Sequence, residues 1–471
     1  MFASSSAWSV RGRGRVRLAA GTLVCGLAAT GVMAAGASSA AAGEAAPQQG
    51  GATATIGGLK TFGAAVIRME DGSDQQVSAG LFEMSVDGGG MLQTYCVDVH
   101  TPTQKDAKYH EAAWSSTSLG VNDDAGRIRW ILQNSYPQVN DLAALAKKAG
   151  VRGPLTEEDA AAGTQVAIWR YADDVTVEAV DPQAEQLADY LEKNARKLKE
   201  PRASLTLDPP VVSGRPGELV GPVTVRTDAR SVTVAPQANA ARDEVRLVDK
   251  NGEPVTDAVD GSQIFFEIPE DATAGTARLT AQASTTVPVG RAFSSVSRSQ
   301  TQILAGSSES TVSATASVTW AEEGAVPAVS ARENCAKGGV DVTASNQGDE
   351  PFTFELVGQK HTVAPGTSRT VTVALSEDAP YDFTVQGPDG FQQRFTGMLD
   401  CLTRSAETGT AARTYSAPSP TPLGGAPADT NLAATGSSDA TPWIAGTAIG
   451  LVVLGGAGLL IARRRENPSD D

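Results

Sequence analysis

Residues 91–99 read MLQTYCVDV and residues 156–172 read TEEDAAAGTQVAIWRYA. The first stretch is typical of a β-strand, in which Cys96 lies on the face opposite Tyr95 because side chains alternate between faces. The second stretch opens with Thr-Glu-Glu-Asp, a variant of the helix-capping box, and continues with apolar residues at helical spacing. The two stretches therefore predict a β domain that carries a helical part.

Gln165 occupies an unusual position in the predicted helix. Spacings of three and four residues place it on one stripe with Ala161, Ile168 and Trp169. A buried amide without hydrogen-bond partners costs about 1–3 kcal/mol, so this side chain needs a partner. The residues alone leave two readings open, a satisfied core amide or a functional group.

The elements around these stretches set the limits of the first domain, residues 50–200. Strands are predicted at 52–68 and 77–99, with a turn at Asp87-Gly88-Gly89-Gly90. Between 122 and 199 the pattern changes to helical spacing, with start signals at Asn122–Asp124, Asn140–Asp141, Thr156 and Asp181-Pro182. We predict a small β domain with a helical insertion.

The sequence pattern changes after Pro201, where short Val- and Thr-rich runs alternate with turn signals. This pattern predicts two immunoglobulin-like β-sandwich modules, at 201–330 and 331–403, and a fold that is multidomain and mainly β. The predicted strands of the last module are 340–344, 352–357, 370–374 and 381–385. Residues 404–431 are rich in Ala, Thr, Ser and Pro, which favours a flexible stalk.

The N-terminus is typical of a secretory signal. Four arginines precede an apolar run from Leu18 to about Ala35, and Ala40-Ala41-Ala42 follows as an A-x-A cleavage site. A membrane-spanning helix fits less well, because the run is short and broken by glycine. We predict that residues 1–42 are removed on secretion.

The C-terminus, residues 432–471, combines three features. The pentapeptide Leu432-Ala433-Ala434-Thr435-Gly436 precedes an uncharged, mostly apolar span at 443–462 and the basic run Arg463-Arg464-Arg465. Together they resemble a sortase sorting signal of the LAxTG kind found in high-GC Gram-positive bacteria. The resemblance implies cleavage after Thr435 and transfer of Thr435 to a peptidoglycan amine in the cell wall. The alternative is a permanent single-pass membrane anchor.

Charge and composition exclude several function classes. The net charge of −16 repels nucleic acid and anionic lipid, so we predict neither as a partner. With three histidines and four cysteines that do not cluster at ligand spacing, we predict no metal and no cofactor.

The cysteines divide into three kinds. Cys25 leaves with the signal, and Cys335 and Cys401 bracket the last module, so a disulfide between them is predicted. Cys96 is then left unpaired in an oxidising compartment. It is a buried residue, an intermolecular link or a reactive group.

A family resemblance bears on this choice. Tyr95-Cys96-Val97-Asp98, followed after some 70 residues by Thr164-Gln165-Val166-Ala167-Ile168-Trp169, resembles the thioester domains of Gram-positive surface adhesins. Their hallmark is a strand cysteine followed by a TQxA motif, and the resemblance covers about residues 52–200. It implies a cross-link between the Cys96 sulfur and the Gln165 side-chain carbonyl.

The resemblance further implies a cell-wall-anchored adhesin that captures an amine-bearing partner, such as a protein with an accessible lysine, at Gln165. Because the bond is used once, we do not predict an enzyme. One alternative is a structural wall protein with a dormant or absent thioester. Another is a cysteine hydrolase, for which His100 and His110 are the local candidate bases and Asp98 a nearby carboxylate.

Overall fold

The computed structural model describes residues 44–45, 50–69, 71–237, 245–387 and 390–402. The predicted signal (1–42), the whole of the predicted stalk and sorting signal (404–471), and with them the LAATG pentapeptide and the apolar span 443–462, lie outside the described residues. Within the described ranges, no helix is long and apolar enough to cross a membrane.

Four α-helices lie in the first domain: α1 (Ala125–Asn134), α2 (Leu142–Ala149), α3 (Glu157–Ala172) and α4 (Pro182–Asn194). Each begins where the sequence signals a start. Thr156 and Asp159 form the full reciprocal capping box of α3. Asp181 accepts from two main-chain N–H groups at the start of α4, whereas Asp124 makes no capping hydrogen bond with its side chain. Short 3₁₀ turns lie at Trp114–Ser116, Ser118–Gly120 and Cys335–Lys337.

In the described part of the chain the remaining regular structure is β, as the mainly β, multidomain fold class predicts. The strands of the first half are β1 (Glu44–Ala45), β2 (Thr53–Arg68), β3 (Asp74–Val86), β4 (Met91–Cys96), β5 (Lys108–Ala112), β6 (Val177–Ala179), β7 (Leu205–Asp208), β8 (Val211–Gly214), β9 (Leu219–Thr227), β10 (Val232–Pro236), β11 (Arg246–Val248) and β12 (Asp257–Ala258). Those of the second half are β13 (Gln263–Glu267), β14 (Gly275–Thr286), β15 (Ala292–Ser295), β16 (Gln302–Ser307), β17 (Glu309–Trp320), β18 (Pro327–Asn334), β19 (Gly339–Asn346), β20 (Phe352–Leu356), β21 (Gln359–Val363), β22 (Thr367–Ala374), β23 (Pro380–Gln386) and β24 (Gln392–Met398).

The first domain is built on a seven-stranded sheet in the order β3-β4-β16-β15-β5-β2-β6, in which β2 also pairs antiparallel with β3 and closes the sheet on itself. The four helices share an apolar core with this sheet, which includes Leu81, Tyr95, Ile131 and Ile168. A second core contains Ile56, Leu92 and Tyr109 of the same sheet together with residues of the following module, up to Trp320. The sheet is therefore buried between the helices and the second module.

Two strands of this sheet come from outside the predicted first domain. Residues 292–307, which the predicted boundaries assign to the module 201–330, form the hairpin β15–β16. β16 pairs with β4 and β15 pairs with β5, both antiparallel. The hairpin thus fills the middle of the sheet, and the first two predicted domains are interleaved in the chain.

The two later modules are each built from two sheets. The second module contains the orders β12-β10-β14-β17-β8 and β11-β13-β9-β7, and the third β18-β19-β22 and β1-β24-β23-β20-β21. In the third module the four predicted strands correspond to β19, β20, β22 and β23, whereas the sequence did not predict β18, β21 and β24. Each pair of sheets shares one apolar core, which makes each module a β-sandwich.

A buried ionic cluster joins the hairpin to the first domain. Arg291 Nε donates to Glu111 Oε1 at 2.8 Å, and the two side chains are 6% and 0% exposed. Arg291 also donates to Glu200 Oε1 at 2.7 Å, and Ser204 N donates to Glu111 Oε1 at 2.9 Å. Breaking the buried pair would leave one charge buried without a partner, which is strongly destabilising. The cluster therefore holds the segments that carry Glu111, Glu200 and Arg291 in one arrangement.

Candidate functional site

Cys96 is the last residue of β4, at a place where one side of the strand has no neighbouring strand. The pairing of β3 with β4 runs from Ser85–Met91 to Phe82–Thr94 and stops two residues before Cys96. On the other side, β16 pairs Gln302 with Cys96. Buried main-chain N–H and C=O groups require partners, so Cys96 needs one from another element.

The Gln165 side chain supplies that partner. Cys96 N donates to Gln165 Oε1 at 3.0 Å, and Gln165 Nε2 donates to Cys96 O at 2.9 Å. Cys96 is 2% exposed and Gln165 is fully buried. The amide is therefore bonded to both main-chain groups of Cys96, which brings its carbonyl carbon beside the thiol-bearing residue and away from water.

Helix α3 holds Gln165 in place through close packing. Its residues from Ala160 to Trp169 are all buried between the sheet and α4. A Cβ at Gly163 would lie 2.4 Å from the Ala184 carbonyl oxygen, so only glycine permits this approach of the two helices. Tight packing on all sides restricts the motion of the amide relative to Cys96.

The sulfur of Cys96 contacts two polar side chains. Gln302 Nε2 donates to Cys96 Sγ at 3.3 Å, and Thr103 Oγ1 lies 3.6 Å from the same atom. Thr94 Oγ1 donates to Gln302 Oε1 at 3.0 Å, which turns the Gln302 Nε2 towards the sulfur. Burial raises the pKa of the Cys96 thiol to about 12, against the smaller lowering effect of these two contacts.

The sequence did not indicate three residues near the sulfur: Gln302, Thr103 and Gln300. Gln300 Nε2 donates to Thr103 Oγ1 at 2.9 Å. Gln302 comes 206 residues after Cys96, on a strand that the sequence assigns to another module. The one available signal was a glutamine at the head of the apolar run Ile303-Leu304-Ala305, the same type of anomaly that singled out Gln165.

Two carboxylates hold the segment that follows Cys96. Asp98 is 3% exposed, and its Oδ1 accepts from His100 N at 2.6 Å and Thr101 N at 3.2 Å. Asp173 Oδ2, just beyond α3, accepts from Val99 N at 2.8 Å. These contacts fix the start of the loop 97–107 that carries Thr103.

His110, one of the two candidate bases for a hydrolase, is on β5, which is not a neighbour of β4 in the sheet. It lines a separate cavity of about 360 Å³ with Glu333 and Tyr381, and burial lowers its pKa.

The predicted disulfide between Cys335 and Cys401 is confirmed. Next to it, the carboxylates of Glu377, Asp378 and Asp400 lie within 4.8 Å of one another, although the sequence predicts no metal site. Glu377 Oε1 accepts from the main-chain N–H of Cys401 and Leu402, and Asp400 Oδ2 accepts from Thr301 Oγ1 at 2.8 Å. The hydrogen bond from Thr301 connects the end of the third module to the residue just before β16. Burial raises the pKa of Asp400 to about 7.

Comparisons with known proteins agree with this geometry. Residues 93–197 match the family model of the thioester domain, and residues 327–398 match the model described as the bacterial phospholipase C C-terminal domain. This chain therefore contains a thioester domain. No curated protein matches the chain.

Two solved structures are similar to the chain at low identity. The Bacillus anthracis TIE protein is 16% identical over 75% of this chain and 64% of its own length, with a TM-score of 0.26. The thioester domain of the Enterococcus faecium TIE86 protein is 15% identical over 57% of this chain and 97% of its own, with a TM-score of 0.27. The match thus spans less than two thirds of the Bacillus protein. At these TM-scores, neither structure adds to the argument from the site.

Proposed function

We propose that this chain is a bacterial surface protein whose thioester domain captures an amine-bearing partner covalently through Cys96 and Gln165. The observation that carries the proposal is the pair of hydrogen bonds, of 3.0 and 2.9 Å, between the Gln165 amide and the main chain of Cys96. Holding the thiol and the amide in one buried site supplies the large effective concentration that their reaction requires.

These contacts support a specific route to the thioester. Cys96 Sγ attacks Gln165 Cδ, the C–N bond breaks, and the thiol proton leaves with the amide nitrogen as ammonia. During attack, negative charge develops on Gln165 Oε1, to which the Cys96 N–H donates at 3.0 Å. A main-chain N–H placed at the developing oxyanion stabilises the transition state.

Capture is the same chemistry with a different nucleophile. A primary amine, such as a lysine side chain, attacks Gln165 Cδ, the C–S bond breaks, and one proton passes from the nitrogen to the sulfur. The products are an amide cross-link at Gln165 and a free Cys96 thiol. Each molecule reacts once, so the protein is a covalent binder and not an enzyme.

Location at the cell surface is the second part of the proposal. The signal at 1–42 would direct secretion, and the sorting signal at 432–471 would let a sortase join Thr435 to peptidoglycan. Enzymatic digestion of the peptidoglycan should then release a chain whose last residue is Thr435, still joined to a peptidoglycan fragment. A chain that keeps residues 443–462 in the wall fraction would contradict the sortase step.

The test of capture uses a fluorescent primary amine. We expect the full chain, incubated natively and then denatured, to carry one label, which peptide mapping places on Gln165, together with one newly alkylatable Cys96. The Cys96→Ala variant should take up no label, since it has no sulfur to activate the carbonyl.

Two outcomes would count against capture. Equal labelling of Cys96→Ala would show that the amine reacts elsewhere. Labelling of the wild-type chain only after denaturation would identify a dormant internal cross-link, the structural alternative.

A further inference from the structure

The hydroxyl of Thr103 lies at the centre of a small polar cluster beside the sulfur. Its Oγ1 is 2.9 Å from Gln300 Nε2, 3.4 Å from Gln302 Nε2 and 3.6 Å from Cys96 Sγ. An amide nitrogen can only donate, so both glutamines donate to this oxygen. A threonine hydroxyl has two acceptor positions and one hydrogen, and with the acceptor positions taken the hydrogen is left for the sulfur.

We propose that Thr103 is a catalytic residue of the thioester centre, whose hydroxyl donates to Cys96 Sγ and stabilises the sulfur as a thiolate. This inference rests on the proposed thioester chemistry and adds to it the group that makes the sulfur a competent nucleophile and leaving group. Gln302 Nε2, at 3.3 Å, is the second donor at the same atom.

The chemistry requires such donors because the sulfur is buried. When an amine attacks Gln165 Cδ, the C–S bond breaks and its electron pair stays on Sγ, which is then protonated from the attacking nitrogen. The same negative charge develops on sulfur when the thiol first attacks the amide. Without donors, a thiolate at a residue 2% exposed is strongly disfavoured.

Gln300 is the positioning residue for this hydroxyl. The residue is 7% exposed, and within the described part of the chain its side chain makes one hydrogen bond, from Nε2 to Thr103. Its Oε1 is buried without a hydrogen-bond partner in those same ranges. An apolar side chain would fill the same space without the cost of a buried, unsatisfied amide oxygen. We therefore infer that Gln300 is there for its Nε2 donor, which orients the hydroxyl of Thr103.

The test compares Thr103→Val, which keeps the shape and removes the hydroxyl, with Thr103→Ser, which restores it. In the full chain, we expect the rate of thioester opening by methylamine to fall about 10-fold in Thr103→Val, less than the loss of an oxyanion donor because sulfur is a weaker acceptor. Alkylation of the released Cys96 thiol at fixed neutral pH should slow by a similar factor. Thr103→Ser should stay within about 2-fold of wild type in both assays.

Several results would overturn the inference. An unchanged rate in Thr103→Val would do so, as would a Thr103→Ser variant as slow as Thr103→Val, which would assign the effect to the lost methyl contact. Should Thr103→Val fail to fold, Gln300→Met removes the orienting donor without touching the sulfur, and a wild-type rate there would equally refute the proposal. A wild-type chain that forms no thioester would instead refute the proposed function itself.

Discussion

Replacing Gln165 with glutamate is expected to abolish amine capture completely. The introduced carboxyl has no ammonia to release, so Cys96 cannot form the thioester by the proposed route. It also has no N–H for Cys96 O, which accepts from Gln165 Nε2 at 2.9 Å before the thioester forms. Adduct formation with a primary amine, followed by mass spectrometry, measures the first effect.

The same variant is expected to lose about 2–4 kcal/mol of unfolding free energy at neutral pH, because a carboxylate would be buried beside a carbonyl oxygen. Burial raises the pKa of such a carboxyl above its unfolded value of about 4.3. The part of the destabilisation that comes from ionisation is therefore absent below that unfolded value, grows as pH rises, and levels off above the folded pKa, whereas the loss of the thioester cross-link acts at every pH. Denaturant unfolding at several pH values measures this second effect.

Gln186→Glu is the matched control. Gln186 Nε2 also donates to a main-chain oxygen, that of Pro182 at 2.8 Å, and Gln186 Oε1 accepts from Arg152 N at 3.1 Å, but this amide is near solvent on α4. Its replacement should change stability by about 0.5 kcal/mol or less and leave capture intact. Equal effects of the two substitutions, or an amine adduct in Gln165→Glu, would contradict the role assigned to Gln165.

A fragment that ends at residue 200 is expected not to fold, although the sequence places a domain boundary there. It lacks β15 and β16, which pair with β5 and β4 in the middle of the sheet. It also leaves Glu111 buried without Arg291. Unpaired strand edges and a buried charge without its partner both oppose folding.

The comparison is with a fragment of residues 50–322, which keeps the hairpin and the second sandwich. We expect this longer fragment to unfold cooperatively and to protect Cys96 from alkylation, while in the 50–200 fragment Cys96 reacts about as fast as in denaturant. Cooperative unfolding and a protected Cys96 in the shorter fragment would show that the hairpin is dispensable.

The contrast between the helices and the hairpin explains what sequence could predict. The starts of α3 and α4 are set by neighbouring residues, Thr156 with Asp159 and Asp181 with Pro182, so the sequence pattern contains the whole interaction. The hairpin strand β16 pairs with β4 across some 200 residues, and its short apolar run fits the second module equally well. Nothing local indicates which sheet it joins.

The residues of the site also differ in how far the sequence indicates them. A glutamine on an apolar stripe of a helix is an anomaly that a single window can detect, but only the resemblance to thioester domains paired Gln165 with Cys96. The Cys335–Cys401 bond was predicted because both cysteines bracket one module. Thr103 lies in a loop between β4 and β5, and Gln300 and Gln302 lie on the hairpin side of the sulfur. Their roles depend on a tertiary contact, so no sequence window contains them.

The central claim, that Cys96 and Gln165 form an internal thioester, is tested most directly by the mass of the full chain. We predict that the wild-type protein is lighter than its sequence by one ammonia, that methylamine adds its own mass to this form, and that Cys96→Ala has its full sequence mass under both conditions. A wild-type chain of full sequence mass, with a Cys96 that alkylates without prior amine treatment, would contradict the account.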